Sequence, residues 1–260
     1  MAHDTDHYDN KLILTLEQMW GKGYLSPGGQ DEVARVLKGI PLQGKRILDI
    51  GCGSGGITAG LAKDFRADHV VGIDIESPVC EAAMRTAKEL KVEQQVEIIQ
   101  VAAGPIPLED ESFDIVFSKD SIIHIANKQS LCADVFRLLK PGGLFVASDW
   151  LTDRDAPSEA MQTYLTLEDL GFGMASSKSY TKALESAGFE DINFVNRGPW
   201  YSDLAQQELK RLKGDERTEF LRFLSPEDLN DYIDVWTAMV VVLKSGELCP
   251  HHFRGRKPLS

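Results

Sequence analysis

The sequence predicts an α/β fold with a doubly wound, mostly parallel sheet, and three observations predict it. Short runs of β-branched and leucine residues alternate with helical periodicity five times between residues 46 and 150. The first run, RILDIG at 46–51, stops at glycines, as a strand buried on both faces does. Pro141-Gly142-Gly143 then ends the last helix of the series before LFVASDW resumes as a strand.

Taken in order, residues 12–22 carry helical spacing, YLSPGG at 24–29 breaks it, and 30–40 read as a second helix. Strand RILDIG is followed by helix GITAGLAKDF, strand HVVGIDI (69–75) and helix PVCEAAMRTAKEL (78–90). VEIIQVA (96–102) and FDIVFSKD (113–120) are the third and fourth strands, and 121–140 is helical with a break near Asn127. LFVASDW (144–150) is the fifth strand. Beyond it the pattern loosens: 177–189 is a helix, 191–197 a strand and 202–245 one or two charged helices before HHFRGRKP. Three regions follow from this reading: N-terminal helices at 1–43, a core at 44–150, and the end of the sheet at 151–260. Segments 151–180 and 198–250 should pack over the carboxyl edge as a helical lid.

Composition narrows the function. A hydrophobic share of 43% and a charged share of 26% are ordinary for a globular chain and exclude disordered and fibrous classes. The 260 residues carry 28 basic against 40 acidic side chains, a net charge of −12, which repels phosphate backbones and argues against nucleic acid. The same balance tolerates small cationic or zwitterionic ligands. Cys52, Cys80, Cys132 and Cys249 lie far apart without zinc spacing, and His251-His252 are adjacent rather than helically spaced. No metal is expected, and the thiols fit a reducing cytoplasm. No stretch approaches the ~20 apolar residues of a membrane span, and the first residues are polar. The expectation is a cytoplasmic enzyme, monomeric or homodimeric.

DIGCGSGG at 49–56 is the first chemical signal. Gly51, Gly53 and Gly55 let the backbone turn sharply between strand and helix and approach a ligand closely. Gly51, Gly53 and Gly56 also satisfy G-x-G-x-x-G, so a nicotinamide dinucleotide is one candidate ligand. Asp74 ends the next strand, 23 residues after Gly51, where a carboxylate meets the hydroxyls of an adenosine ribose. Asp49 separates the candidates. A carboxylate there suits the ammonium of a methionine moiety, whereas a pyrophosphate at the helix N-terminus would be repelled.

With FDIVFSKD and LLKPGGLFV following in order, the chain resembles the class I S-adenosylmethionine-dependent methyltransferases over roughly residues 44–150. The resemblance implies a Rossmann-like seven-stranded sheet. It implies that Gly51, Cys52, Gly53 and Gly55 hold the methionine end, Asp74 the ribose and Ile75 one face of the adenine. Ala102 and Ala103 occupy the place where the family often has an acid for the adenine amino group, and Ser118 joins the cofactor set.

A narrower resemblance covers GYLSPGG and SKDSIIHI, which are similar to segments of the phosphoethanolamine N-methyltransferases. By that resemblance the N-terminal region closes over the cofactor through Tyr24 and Ser26, Asp120 and His124 face the methyl group, and Tyr8 pairs with His124. The residues support the pair independently. A helix beginning at 120 would place positions i and i+4 on one face at the carboxyl end of a parallel strand. An ammonium must lose its proton before it attacks carbon, and a histidine takes that proton near neutral pH. Tyr24, Trp150 and Tyr164 are the aromatic candidates for holding a cationic amine, at roughly 0.5–2 kcal/mol per contact. The phosphoethanolamine enzymes carry an arginine and a second tyrosine soon after the position of Tyr164. Here LTLEDLGF places Glu168 and Leu170 there, and a buried phosphate without a cation is costly. Arg197 is either a partner for an acceptor carboxylate or a surface arginine at a strand end. The expectation is N-methylation of a small amine or amino-acid-like acceptor. O- or C-methylation, phosphoethanolamine itself, a silent cofactor-binding protein and a dinucleotide oxidoreductase are the alternatives.

Overall fold

In the computed structural model, which describes residues 10–259 apart from Leu170 and Asp215, the five core runs form neighbouring parallel strands. They are β1 (Arg46–Ile50), β2 (His69–Asp74), β3 (Val96–Gln100), β4 (Phe113–Lys119) and β5 (Leu139–Leu151). Two further strands, β6 (Glu190–Asn196) and β7 (Cys249–Arg256), complete one seven-stranded sheet in the order β3-β2-β1-β4-β5-β7-β6. β7 runs antiparallel to both of its neighbours. Residues 251–256 of the closing HHFRGRKP segment, where the sheet is expected to finish, therefore belong to a strand inside the sheet rather than at its end.

Alternation in the strands divides the core into two faces. Ile47, Val70, Ile115 and Val146 pack against α2 (Gly29–Val36), α3 (Gly56–Lys63) and α4 (Ser77–Glu89). Leu48, Val71, Val116 and Phe145 pack against α5 (Lys128–Leu138) and α7 (Ser177–Ala187). A third apolar cluster lies outside this sandwich. It joins α1 (Asn10–Trp20), α6 (Glu159–Glu168), α8 (Gly198–Lys213), α9 (Arg217–Phe220) and α10 (Pro226–Lys244) through residues such as Leu16, Tyr164, Tyr201, Phe220 and Trp236. This helical layer meets the sheet at its carboxyl edge, where Lys119 of β4 touches Tyr201 of α8.

One local reading is corrected. The Pro141-Gly142-Gly143 segment does not stand between helix and strand; it lies inside β5, where register to β4 passes from Phe113↔Leu139 to Ile115↔Leu144. The extra residues are absorbed as a bulge, as a proline without an N–H requires. Residues 121–140 carry the break expected near Asn127. A 3₁₀ turn spans Ile122–His124, and α5 starts afresh after Asn127, whose side-chain oxygen accepts the Ser130 N–H at 3.0 Å. No helix among the described residues is long and apolar enough to cross a membrane.

Candidate active site

The loop between β1 and α3 turns through left-handed backbone at Gly51 (φ 73°), Gly53 (φ 50°) and Gly55 (φ 83°). A Cβ on Gly51 would stand 1.6 Å from Ser121 Oγ, so this glycine is required by space as well as by φ. The Gly51 and Cys52 N–H groups donate to the Ile73 carbonyl at 2.8 and 3.0 Å, tying the loop to β2. Asp74, at the end of β2, accepts from the Gly53 and Glu76 N–H groups at 3.0 and 3.1 Å. Ile75 follows with 51% of its surface open, an apolar platform beside that carboxylate. Ala102 and Ala103 are exposed and offer only backbone groups.

Asp49 is buried below the loop, and Thr58 Oγ1 donates to it at 2.7 Å. Burial pushes its carboxyl up to about 7, against the hydrogen bond from Thr58. The Ser54 hydroxyl, also buried, has no hydrogen-bond partner among the described residues. A buried acid, an orphaned hydroxyl and an open apolar residue around one glycine turn fit the amino-acid and adenosine ends of S-adenosylmethionine. They do not fit a diphosphate. Affinity for S-adenosylhomocysteine is expected to fall as pH drops through about 7, because the ligand's ammonium requires the ionised form of Asp49. Calorimetric titration across that range checks this; an affinity flat with pH, or an unchanged slope in Asp49→Asn, would remove Asp49 from the site.

Two of the cofactor candidates are committed internally. Ser118 is fully buried and its hydroxyl donates to the Ile50 carbonyl at 2.8 Å, so it braces β1 against β4 rather than offering a side-chain contact. The Cys52 thiol is buried, and burial raises it well above the usual thiol range, which keeps it protonated.

Asp120 and His124 do not share a helical face. Asp120 has φ 57°, a left-handed conformation that an aspartate tolerates and that ends β4 before any helix begins. Its carboxylate accepts from Lys119 Nζ at 2.6 Å, Ser148 Oγ at 2.7 Å and Tyr201 Oη at 3.0 Å. His124 ends the 3₁₀ turn, is exposed, and has its ring 5.4 Å from that of Phe172. Asp120 thus anchors the base of the site while His124 stands at its open side. Tyr8 lies outside the described residues.

Aromatic rings form two rows on the lid side. Trp200, Tyr201 and Trp150 meet edge to face at 4.7 and 5.0 Å, and Tyr164 continues through Phe172 at 6.3 Å towards His124. The Gly173 N–H donates to the Ile123 carbonyl at 2.8 Å, which straps the Phe172 segment onto the turn carrying His124. Tyr24 belongs to neither row. It packs with the cluster around α2 and α3, with its hydroxyl 3.8 Å from where a Cβ on Gly60 would stand, and burial pushes its pKa up to about 12. Tyr24 therefore stands apart from the two aromatic rows.

Arg197 is engaged within the chain. Its guanidinium donates to both carboxylate oxygens of Glu32 at 2.7 and 2.8 Å and lies 4.5 Å from the Trp200 ring centroid. Glu32 is fully buried, so it captures the arginine that the sequence offers to an acceptor; His252 Nε2 adds a contact at 2.8 Å. Glu168, at the end of α6, has no hydrogen-bonding or ionic partner among the described residues, and burial pushes it up to about 7.

Sequence reading missed Lys119 and Glu32 as builders of the site. A signal existed for Glu32: Gly29, Glu32, Val33 and Val36 fall at i, i+3, i+4 and i+7, which puts a carboxylate on the buried face of α2. Lys119 sits inside the quoted SKDSIIHI, but nothing local announces its partners.

Comparison with known proteins gives a consistent result. A family model described as a methyltransferase domain matches residues 42–188. Phosphoethanolamine N-methyltransferase 1 of Arabidopsis thaliana is 30% identical over 245 residues, covering 94% of this chain and 49% of that protein. The chain thus spans about half the length of that relative. The sarcosine/dimethylglycine N-methyltransferase of Halorhodospira halochloris is 28% identical over 175 residues, covering 65% of this chain and 61% of that protein. The structure of Haemonchus contortus phosphoethanolamine N-methyltransferase 2 with phosphomonomethylethanolamine and S-adenosylhomocysteine superposes with a TM-score of 0.90 at 25% identity. That superposition covers 98% of this chain and 59% of the other.

Proposed function

The chain belongs to the methyltransferase-domain family, and on that premise we propose that it moves a methyl group from S-adenosylmethionine to the nitrogen of a small, nonphosphorylated amine. The observation that carries this reading is the row Tyr164–Phe172–His124, with a protonatable ring exposed at one end and aromatic faces behind it. Ring faces favour an ammonium and its more methylated products.

The cofactor supplies a methyl group already activated on a sulfonium. The chain's residues do the rest. Asp49 holds an ammonium, Asp74 holds ribose hydroxyls, and Trp150, Tyr164 and Phe172 orient the acceptor nitrogen. His124 takes the proton from the acceptor ammonium, freeing the electron pair that forms the nitrogen–carbon bond as the sulfur–carbon bond breaks. Positioning is the main contribution, since the donor needs no further activation.

Glu168 and Arg197 support the nonphosphorylated acceptor. A partnerless carboxyl is a poor neighbour for a phosphate, and the buried cations of the lid side are engaged: Arg197 by Glu32, Lys119 by Ser26, Pro27 and Asp120. Mass spectrometry of reactions containing ethanolamine, phosphoethanolamine, glycine and its methylated forms, and other amino acids tests the reading. Methyl gain on a nonphosphorylated amine is expected. Gain on phosphoethanolamine alone would overturn the acceptor class, and methylation confined to oxygen or carbon would overturn the amine.

A further inference from the structure

Lys119 is a lysine with 1% of its side chain exposed, and each of its three N–H bonds has an acceptor. Ser26 Oγ and the Pro27 carbonyl accept at 2.9 Å each, and Asp120 Oδ2 accepts at 2.6 Å. Two of these acceptors lie more than ninety residues away in sequence, on the segment that precedes α2. That segment is itself built onto the glycine loop. The Gly56 N–H donates to the Gly23 carbonyl at 2.8 Å, and Leu25 Cδ1 lies 3.1 Å from where a Cβ on Gly53 would stand.

On its other side Lys119 meets α8. Tyr201 Oη lies 3.4 Å from Nζ and donates to the carboxylate oxygen of Asp120 that Lys119 also binds. Trp200, the preceding residue, closes on Gly28, where a Cβ would come within 2.5 Å of its ring. The turn bearing His124 begins directly after Asp120. A continuous set of contacts therefore runs from the glycine loop through Leu25, Ser26 and Pro27 to Lys119, and on to Asp120 and Tyr201.

We infer that Lys119 is a positioning residue that joins the segment covering the cofactor loop to helix α8 on the acceptor side, so that filling one site orders the other. The inference rests on the cofactor reading above. Coupling of this kind is reciprocal in binding free energy and requires a structure that both sites bias. The alternative is an internal ion pair that only stabilises the fold.

Amide hydrogen exchange with and without S-adenosylhomocysteine separates the two. In the unaltered protein the ligand should slow exchange in residues 24–36 and also at the start of α8. Lys119→Met should weaken the ligand by about tenfold or more, from loss of charged hydrogen bonds to the cover, and abolish the ligand's effect on α8. Lys119→Arg should restore both in part. Because Lys119→Met leaves Asp120 without its cation, Ser26→Ala and Tyr201→Phe serve as uncharged controls of the same contacts. Each should loosen the link, and their combination should be non-additive. Ligand protection of α8 that persists in Lys119→Met, or in the Ser26→Ala/Tyr201→Phe pair should Lys119→Met not fold, would overturn the inference. Failure of the unaltered protein to bind the ligand at all would instead overturn the cofactor reading.

Discussion

Replacing His124 with alanine is expected to lower turnover by roughly 10²- to 10⁴-fold, the range typical for loss of a general base. Affinity for S-adenosylhomocysteine should stay within about twofold, since the change removes no binding contact to that ligand. The reasoning is geometric. His124 lies at the exposed end of the 3₁₀ turn, ring to ring with Phe172, while the glycine loop, Asp49 and Asp74 are carried by other segments. Only the acceptor side loses a group. Single-turnover rates together with calorimetric affinity decide the matter, once an acceptor is in hand. Full turnover in the variant would leave deprotonation to solvent or to another residue.

The second large effect concerns stability. Glu32→Ala should destabilise the fold by about 3–5 kcal/mol, the usual consequence of removing one partner from a buried ion pair. Arg197 would lose both of its carboxylate contacts, and His252 its neighbour at 2.8 Å. Burial alone would raise the Glu32 carboxyl. The nearby His252 and the paired Arg197 guanidinium outweigh that and hold it at about 2. A carboxylate depressed in this way contributes stability above its unfolded range and loses it as pH falls towards the folded value. Urea denaturation at neutral pH and again near pH 3 therefore gives a second check. The gap between the unaltered protein and the variant should narrow in acid. A difference below about 1 kcal/mol at neutral pH would mean that Arg197 and His252 find water instead.

How much of this was legible in the sequence depends on how local the information was. The parallel core could be read because each strand announces itself by its own composition and is bounded by glycine or proline. The glycine turn and Asp74 could be read because spacing alone places them at the carboxyl end of adjacent strands. Asp120 and His124 were found as chemical groups, but their relation was misread. Helical spacing assumed a regular backbone, and the left-handed conformation at Asp120 removes it. Arg197 illustrates a different limit. Its availability depended on a carboxylate 165 residues earlier, and no pattern within either segment discloses that pairing. Strand β7 was hidden for a related reason. Its histidines and arginines look like surface residues until Glu32 is set against His252. Pairings across the chain, rather than propensities along it, decide which polar residues are structural and which remain for chemistry.

The placement of β7 also has a consequence for the order in which the molecule can assemble. The strand lies between β5 and β6, so β6 has no partner in the sheet until residues 249–256 have been synthesised. On a growing chain, strands β1 to β5 can pair early, because β1 to β4 have all their sheet neighbours by residue 151 and only one edge of β5 waits for β7. The carboxylate of Glu32 must wait much longer for Arg197 and His252. During translation the nascent protein thus carries an open edge at β5 and a Glu32 carboxylate that has Arg35 nearby but still lacks Arg197 and His252. It closes both with a single late insertion, which makes that step the natural point for rescue by chaperones or for misassembly.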